Sequence, residues 1–333
     1  MNGEVILKVE DLKTYFYTRQ GVVKAINGVS FNLRKEEILG IVGESGCGKS
    51  VTALSILRVL PGFTGRVVGG KIIFHNEDIL EKDEEEMRQI RGGKISMICQ
   101  NPNTSLNPVF TIGSQLKEVL EFHGKSKGSS KRVQERLVKM LTEVQIPSPE
   151  IQIKNYPFQL SGGMKQRVVI AMSLICEPEI IIADEPTTAL DVTIQGQILR
   201  LFKELRARHG TSIIFITHDL GVIARLCHTV AVIYAGRIIE YNQIRDFFEN
   251  PRHPYTIGLM KSNPVFGKRK EMLYSMRGQP PDLINPPSGC AFEPRCSNRI
   301  PICKETYPPK IKIQGDYYFT CWLRDRMEDR IVT

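Results

Sequence analysis

Residues 43–50 read Gly-Glu-Ser-Gly-Cys-Gly-Lys-Ser, and this stretch decides the fold. The apolar residues 38–42 precede it and the helical pattern of residues 51–57 follows, so a buried strand is predicted to turn sharply into a helix. Glycines let successive backbone N–H groups point at an anion, and the helix N-terminus adds partial positive charge. Lys49 is placed to reach the β- and γ-phosphates of a nucleoside triphosphate, and Ser50 to hold Mg²⁺. The stretch therefore predicts a phosphate-binding loop, and its flanking strand and helix argue against a chance glycine-rich turn.

Length and charge bound the remaining possibilities. The chain has 333 residues and a formal net charge of +9, which allows one large α/β domain with an appendage. Its densest basic clusters, residues 125–132 and 268–270, contain no aromatic side chains, so we expect no nucleic-acid partner. No apolar run approaches the ~18 residues that cross a bilayer, and the N-terminus lacks the layout of a signal peptide. We expect a soluble cytoplasmic chain.

Two predicted strands precede the loop, at residues 5–16 and 22–34, with a turn at 19–21. An antiparallel sheet is therefore expected beside the nucleotide. Tyr15 and Phe16 are candidates for stacking on the purine, but neighbours on a strand point to opposite faces, so at most one of them stacks. An ordinary core or surface aromatic is the alternative for either ring.

The segment after the loop helix is predicted to be mostly helical. The predicted elements are a strand at 71–74, an acidic helix at 77–91, a strand at 94–99, and helices at 111–123 and 131–144. Gln100 follows the second strand, and residues 124–130, rich in Gly, Ser and Lys, separate the last two helices. These features indicate a helical insertion.

A second helix start with exposed amides is predicted at residues 160–167, Leu-Ser-Gly-Gly-Met-Lys-Gln-Arg, which opens a helix through residue 175. Ser161 is a good N-cap, and Gly162 and Gly163 leave the first amides accessible. The pattern permits a second anion-binding helix end, with a plain capped helix as the alternative.

Two carboxylates end the apolar strand within residues 179–186, at the carboxyl edge where ligands of open parallel sheets bind. Asp184 is positioned to meet Mg²⁺ through water, and Glu185 to polarise an attacking water. The next strand, residues 212–217, delivers His218. A lone His at a strand end is usually structural, but after a phosphate loop and an acidic strand it is interpreted as a γ-phosphate contact.

The last predicted elements complete the domain. They are a helix to about residue 209, strands at 229–234 and 237–241, and helices at about 243–249 and 254–262. Beyond the domain, residues 264–287 are proline-rich and irregular.

With these pieces in order, the chain resembles an ATP-binding cassette (ABC) ATPase over residues 5 to about 330. In that family's terms the motifs are Walker A at 43–50, the Q-loop at Gln100, the signature at 160–164, Walker B at 180–185, the D-loop at 188–191 and the switch histidine at His218. The resemblance implies an α/β fold with a P-loop NTPase (RecA-like) core, an N-terminal antiparallel β subdomain, an inserted helical subdomain at about 101–177 and a small irregular C-terminal extension. The implied domains are a nucleotide-binding domain at 1–263 and an extension at 264–333.

The resemblance also implies the residues of the site. Catalytic roles fall on Glu185, His218 and Gln100, and Mg²⁺ ligation on Ser50, Gln100 and Asp184. The expected ATP contacts are Phe16, Gly43, Glu44, Ser45, Gly46, Cys47, Gly48, Lys49, Ser50, Val51, Gln100, Ser161, Gly162, Gly163, Asp184 and Asp191.

Finer features are similar to the ATPase subunits of bacterial dipeptide, oligopeptide and nickel importers. Met164 stands where the family signature commonly ends in Gln, and the other matching segments are 101–102, 106–108, 187–193, 253–256 and 285–290. The resemblance implies a second ABC ATPase subunit in a homodimer or heterodimer, two transmembrane permease subunits, an extracytoplasmic substrate-binding protein and a place at the cytoplasmic face of the membrane. The rival hypotheses are a soluble ABC ATPase acting on DNA or ribosomes and a redox-sensing regulator.

Four cysteines fall close together near the C-terminus. Cys290 and Cys296 are separated by five residues, Cys296 and Cys303 by six, and Cys303 and Cys321 by seventeen. Both the tight zinc knuckle and the common ferredoxin spacings are absent, so the pattern says only that four thiolates could converge on one metal. The resemblance implies a [4Fe–4S] cluster, with Zn²⁺ and free thiols as the alternatives.

Overall fold

The structure is a computed structural model that describes residues 3–62, 64–126, 129–188, 190–262 and 275–323. Several sequence features lie outside these residues: the predicted domain boundary at 263 and 264, the basic cluster at 268–270 and Ala189 of the D-loop segment.

The chain forms two compact units. The first contains residues 1–34, 38–80 and 216–333, and the second contains residues 35–37 and 81–215.

The strands are β1 (Val5–Thr18), β2 (Gly21–Arg34), β3 (Ile38–Val42), β4 (Gly65–Phe74), β5 (Glu77–Asp78), β6 (Ile95–Ile98), β7 (Ile180–Asp184), β8 (Ser212–Thr217), β9 (Thr229–Tyr234), β10 (Arg237–Gln243), β11 (Ile311–Lys312) and β12 (Tyr318–Phe319).

The helices are α1 (Lys49–Ile56), α2 (Glu84–Ile90), α3 (Pro102–Ser105), α4 (Ile112–Phe122), α5 (Ser130–Glu143), α6 (Pro149–Gln152), α7 (Gly162–Leu174), α8 (Val192–His209), α9 (Leu220–Leu226), α10 (Ile244–Glu249), α11 (Pro254–Ser262) and α12 (Ile302–Glu305).

The first unit contains the expected antiparallel sheet, in the order β2-β1-β4-β5. Leu7, Val9 and Leu12 of β1 are buried, as are Ile26 and other apolar residues of β2. Alternation of apolar and polar residues along paired strands gives the sheet one core face.

A second set of paired strands in the first unit runs in the order β11-β12-β10-β9-β3. Strand β3 pairs in parallel with β9, and every residue of β3 is buried. Because a strand buried on both faces is fixed by its neighbours, the loop that follows it at residue 43 starts from a rigid edge. At the other end β12 pairs antiparallel with β10, so the C-terminal extension continues this sheet.

The second unit combines a parallel pair with a helical insertion. Strands β6 and β7 pair in parallel, and the segment predicted as the insertion, about residues 101–177, contains α3 to α7. Helix α7 packs against α3, α4 and α5, which explains why most of its residues are buried. Strand β8 crosses from the second unit into the first.

The predicted secondary structure was wrong for the acidic helix and left out α9. The acidic helix expected at 77–91 is only α2, because Glu77 and Asp78 pair with β4 and Asp83 starts the helix. The Asp83 side chain accepts from the Glu86 amide at 2.8 Å and Glu86 accepts from the Asp83 amide at 3.0 Å, a capping box that fixes this start. Helix α9 was not predicted; it follows Asp219, whose carboxylate caps it at the Gly221 amide.

Candidate functional site

The loop at residues 43–50 wraps into the start of α1. Gly48 is the N-cap with φ 108°, and a Cβ there would lie 2.6 Å from the carbonyl oxygen of Ala25, so only glycine fits. No side chain caps this helix, which leaves its first amides to bind another group. Lys49 is 5% exposed, and its ammonium donates to the carbonyls of Gly43 at 2.9 Å and Glu44 at 3.0 Å. The loop is therefore a cradle of backbone donors closed by a lysine.

Three other residues of this loop region differ in exposure. Ser50 is exposed at the start of α1, so its hydroxyl is open to a ligand, and Val51 behind it is half-buried. Cys47 is buried, and burial raises the pKa of its thiol to about 11, so it is a neutral packing group near pH 7.

Glu44 is fixed by three contacts. Its amide donates to the Tyr255 hydroxyl at 3.0 Å, and its carboxylate accepts both arms of the Arg295 guanidinium, at 2.7 and 2.9 Å. Its carbonyl is the one that accepts from Lys49. The hydrogen bonds to Glu44 raise the pKa of Arg295, which stays charged. Sequence reasoning missed Arg295, because 251 residues separate the partners and no local pattern links them.

The two adjacent aromatics of β1 have different surroundings. The Tyr15 hydroxyl donates to the Asn27 side-chain oxygen at 3.2 Å, whereas the half-buried Phe16 ring lies against Gly65, where a Cβ would stand 2.8 Å from a ring carbon. Phe16 thus keeps part of its ring open in the same unit as the loop.

The second unit brings Gln100 and Glu185 together. The Gln100 amide donates to the Glu185 Oε2 at 3.0 Å, and the Thr188 hydroxyl donates to the same oxygen at 3.0 Å. Asp184, the last residue of β7, is 6% exposed, and Glu185 follows with φ 46°. A positive φ is uncommon outside glycine, so the backbone turns in an unfavourable conformation directly after β7. Thr188 was missed as a partner of Glu185, although its place three residues later in the D-loop segment was a signal.

The start of α7 is capped by its own serine. Ser161 Oγ accepts from the Met164 amide at 3.3 Å. A Cβ at Gly162 would meet no described residue within 4 Å, whereas one at Gly163 would lie 3.0 Å from Ile194. Gly162 thus leaves open space beside the first amides of α7.

The remaining predicted residues lie at element ends. Asp191 caps α8 by accepting from the Ile194 amide at 2.9 Å. His218 is exposed and follows β8, in the first unit.

The four C-terminal cysteines line one cavity, together with Phe292 and Trp322 among others. The Cys290 amide donates to the Cys303 carbonyl at 2.7 Å, which ties two of them through the backbone. Burial is the main cause that raises the pKa of Cys290 to about 11 and of Cys321 to about 12, and the nearby thiols add to it. In the described part of the chain, no three His, Cys, Asp or Glu side chains are placed to hold a metal ion.

Two family profiles match this chain. The one described as ABC transporter matches residues 26–188, and the one described as oligopeptide/dipeptide transporter, C-terminal region, matches residues 239–303. The dipeptide transport ATP-binding protein DppD of Bacillus subtilis (strain 168) is 49% identical over 329 residues, 99% of this chain and 98% of that protein. The chain belongs to the ABC transporter family of ATPases. The oligopeptide transport ATP-binding protein OppD of the same strain is also 49% identical to this ABC ATPase, over 96% of this chain and 88% of its own length.

Solved ABC structures share the fold of this ABC ATPase. The dimeric ATP-binding cassette MJ0796, in a post-hydrolysis state with ADP and Pi, is 27% identical with a TM-score of 0.64, over 72% of this chain and 99% of its own. The cassette cbiO1 from Clostridium perfringens, part of the ABC transporter complex cbiONQ, is 26% identical with a TM-score of 0.63, over 77% of this chain and 95% of its own. These similarities confirm the predicted α/β P-loop NTPase fold. Among the described helices, none is long and apolar enough to cross a membrane.

Proposed function

We propose that this ABC ATPase powers the uptake of dipeptides or oligopeptides, as the ATP-hydrolysing subunit of an importer at the cytoplasmic face of the membrane. The observation that carries the proposal is the match of residues 239–303 to a peptide-transporter C-terminal region in a chain that also holds the phosphate loop. The names of DppD and OppD in Bacillus subtilis support the same cargo class. We propose the cassette at residues 1–263 and the extension at 264–333 as the working domains.

The residues of the first unit fit ATP. The uncapped amides of α1 and the Lys49 ammonium would hold the phosphates, with residues 43–51 as the cradle. The open part of the Phe16 ring would stack on adenine. The exposed Ser50 hydroxyl would be a ligand of Mg²⁺, which when bound neutralises charge on the β- and γ-phosphates.

The residues of the second unit and His218 would carry out hydrolysis. Glu185 would accept a proton from the attacking water, and its bonds from Gln100 and Thr188 orient the carboxylate for that step. Asp184 and Gln100 would complete the Mg²⁺ site, and His218 would contact the γ-phosphate. The oxygen chemistry of this set suits a hard divalent cation.

Each ATP would lie between two cassettes. Ser161, Gly162 and Gly163 of one subunit would cap the γ-phosphate held by the loop of the other, and Asp191 would lie at the same interface. The partner is a second ABC ATPase, identical or related, and two permease subunits and an extracytoplasmic binding protein complete the importer. Closure on ATP and opening after hydrolysis would drive the permeases.

For the cysteine segment, we propose a [4Fe–4S] cluster held by Cys290, Cys296, Cys303 and Cys321, with Zn²⁺ as the alternative. The four thiols line one cavity, and thiolates are the ligands that iron–sulfur clusters use. The cluster would stabilise a short segment with a small apolar core of its own, formed by Phe319, Cys321 and Leu323. A metal would also reverse the effect of burial, because coordinating thiols are deprotonated.

The cluster is tested on the full chain purified without oxygen. The protein should be brown, with visible absorbance that dithionite bleaches, and Cys296→Ser should lose this absorbance while Cys176→Ser, a buried thiol of the second unit, keeps it. A colourless protein that contains stoichiometric zinc would show that the four cysteines bind Zn²⁺ instead of a [4Fe–4S] cluster. A protein that holds no metal after anaerobic reconstitution would leave free thiols.

The cargo is tested in cells that lack this chain. Uptake of a radiolabelled dipeptide or tripeptide should fall, and the wild-type gene but not Lys49→Ala should restore it. If radioactive Ni²⁺ uptake is what falls and recovers, the chain serves a nickel importer instead. If neither changes and the protein stays out of detergent-solubilised membrane complexes, the import proposal is wrong.

A further inference from the structure

The C-terminal extension reaches directly into the phosphate loop. The Arg295 guanidinium donates to both Glu44 oxygens, at 2.7 and 2.9 Å, and also to the Tyr234 hydroxyl at 3.2 Å. Its Nε donates to the Arg277 carbonyl at 3.1 Å. The Arg295 side chain is 6% exposed and that of Glu44 is 24% exposed. A forked, largely dry ion pair of this kind holds its geometry far better than an exposed surface pair.

An aromatic cluster fills the space between this pair and the cysteine segment. The cluster consists of three rings, each packed against the other two, with ring centroids 4.6 to 5.4 Å apart: Tyr234, Tyr255 and Phe292. Phe292 also lines the cavity of the four cysteines, and Tyr255 holds the Glu44 amide. The loop is thus packed against the extension by both charge and apolar contact.

Charge explains why the pair matters to an anion-binding loop. Glu44 carries a negative charge in a segment whose amides and lysine are arranged for phosphates, and its carbonyl lies 3.0 Å from the Lys49 ammonium. An uncompensated carboxylate there would repel the ligand. Arg295 removes that repulsion and, because its fork fixes two oxygens, also fixes the side chain's direction.

We propose that Arg295 is a positioning residue of the ATP site: it neutralises Glu44, so the C-terminal extension sets the affinity of the phosphate loop for ATP. This inference rests on the proposed ATP site at residues 43–51. It assigns the extension a part in nucleotide binding, separate from any metal that the cysteines hold.

The test is isothermal titration calorimetry of MgATP on the full chain, with thermal melting of each variant alongside. Two unit charges about 10 Å apart at an effective dielectric of ~20 change binding by roughly tenfold, so Arg295→Gln, which leaves the Glu44 charge unpaired, should bind MgATP about tenfold more weakly. The double variant Arg295→Gln with Glu44→Gln restores the charge balance and should recover most of the loss. Arg295→Lys keeps the charge without the fork and should lie between wild type and Arg295→Gln.

Arg299→Gln is the matched control, because Arg299 lies in the same segment, is 60% exposed and forms a loose ion pair with Glu293, at 3.8 Å. Its affinity for MgATP should equal that of the wild type. Wild-type affinity in a folded Arg295→Gln would overturn the inference, as would a double variant no better than the single one. In that case Lys49→Ala separates the two proposals. If Lys49→Ala also binds MgATP with wild-type affinity, the proposed ATP site is wrong. If Lys49→Ala binds MgATP more weakly, the ATP site stands and only the role of Arg295 is wrong.

Discussion

Helices α1 and α7 both begin with glycine-rich sequence, yet the N-terminus of α1 has no side-chain cap and that of α7 does. At α1 the N-cap is Gly48, no side chain caps the amides, and Lys49 closes over the loop. At α7 the Ser161 hydroxyl already accepts from the Met164 amide, and the lysine of the first turn, Lys165, donates away to Asn103 at 2.9 Å.

The difference separates two kinds of anion site. The start of α1 leaves its first amides uncapped and keeps its cation inside the same loop, on the Gly43 and Glu44 carbonyls, so it can hold a phosphate within one chain. At the start of α7 the Met164 amide already has a hydrogen-bond partner, and Lys165 donates to Asn103. This helix end therefore suits an anion whose other contacts come from a different binding loop. This contrast supports the proposal that α7 completes the site of a partner subunit.

The largest expected effect comes from removing the proposed general base, Glu185. Glu185→Gln should lower kcat by about 10²- to 10⁴-fold, the usual contribution of a general base, while ATP stays bound and the closed dimer persists. Steady-state ATPase assays and size-exclusion chromatography with ATP measure both. Glu179→Gln, which removes the carboxylate that pairs with Lys94 at 2.9 Å, is the control and should keep kcat. Near-normal turnover in Glu185→Gln would remove the assigned base.

Loss of the lysine at the start of α1 should weaken the binding of MgATP, whereas loss of Glu185 lowers kcat with ATP still bound. Lys49→Ala deletes a charge-assisted contact to phosphate and should weaken MgATP binding by about 10- to 100-fold, measured by calorimetry. Lys165→Ala at the start of α7 is the matched control, because that lysine faces Asn103. Equal losses in the two variants would erase the contrast between the helix ends.

The glycine at the N-cap of α1 should be intolerant of a methyl group. Gly48→Ala combines φ 108° with a contact of 2.6 Å to the Ala25 carbonyl, so it should lower the free energy of unfolding by about 2 kcal/mol or more. Urea denaturation monitored by circular dichroism measures the loss. A variant as stable as wild type would mean that the loop relaxes freely, contrary to a rigid cradle.

The smallest effect on stability should come from Gly162→Ala, with the opposite sign. Among the described residues the added Cβ meets nothing within 4 Å, so the isolated chain should gain about 0.4–1 kcal/mol through the lower entropy of its unfolded state. ATPase activity should nevertheless fall, because the methyl group would stand where the partner's phosphate is proposed to lie. Unchanged activity in the stabilised variant would argue that α7 caps no ligand.

Local signals in the sequence predicted one part of this architecture well. The strand, loop and helix around residues 38–56 were placed because backbone geometry there depends on neighbouring glycines. The start of α7 was placed by Ser161 in the same way. The acidic segment misled the helix prediction, since polar composition did not reveal that Asp83 caps the helix while Glu77 joins a sheet.

Contacts between distant segments could not be predicted. The pairing of β12 with β10 joins strands of which one is only two residues long, too short to leave a periodic pattern. The same holds for Arg295 and Glu44, which meet only after the extension folds back. The four cysteines were recognisable as a group, but that they line one cavity depends on the folded extension.

The most direct test of the account is ATPase complementation between two damaged subunits. Lys49→Ala removes the lysine of the phosphate loop, and Ser161→Arg blocks the start of α7. Each homodimer carries its defect in both sites and should be inactive. In mixed dimers, shown to form by differential tagging, one site combines an intact loop with an intact α7 start. Mixing should restore ATPase activity above the sum of the two parent proteins. Strictly additive rates in confirmed mixed dimers would contradict a site shared between two chains.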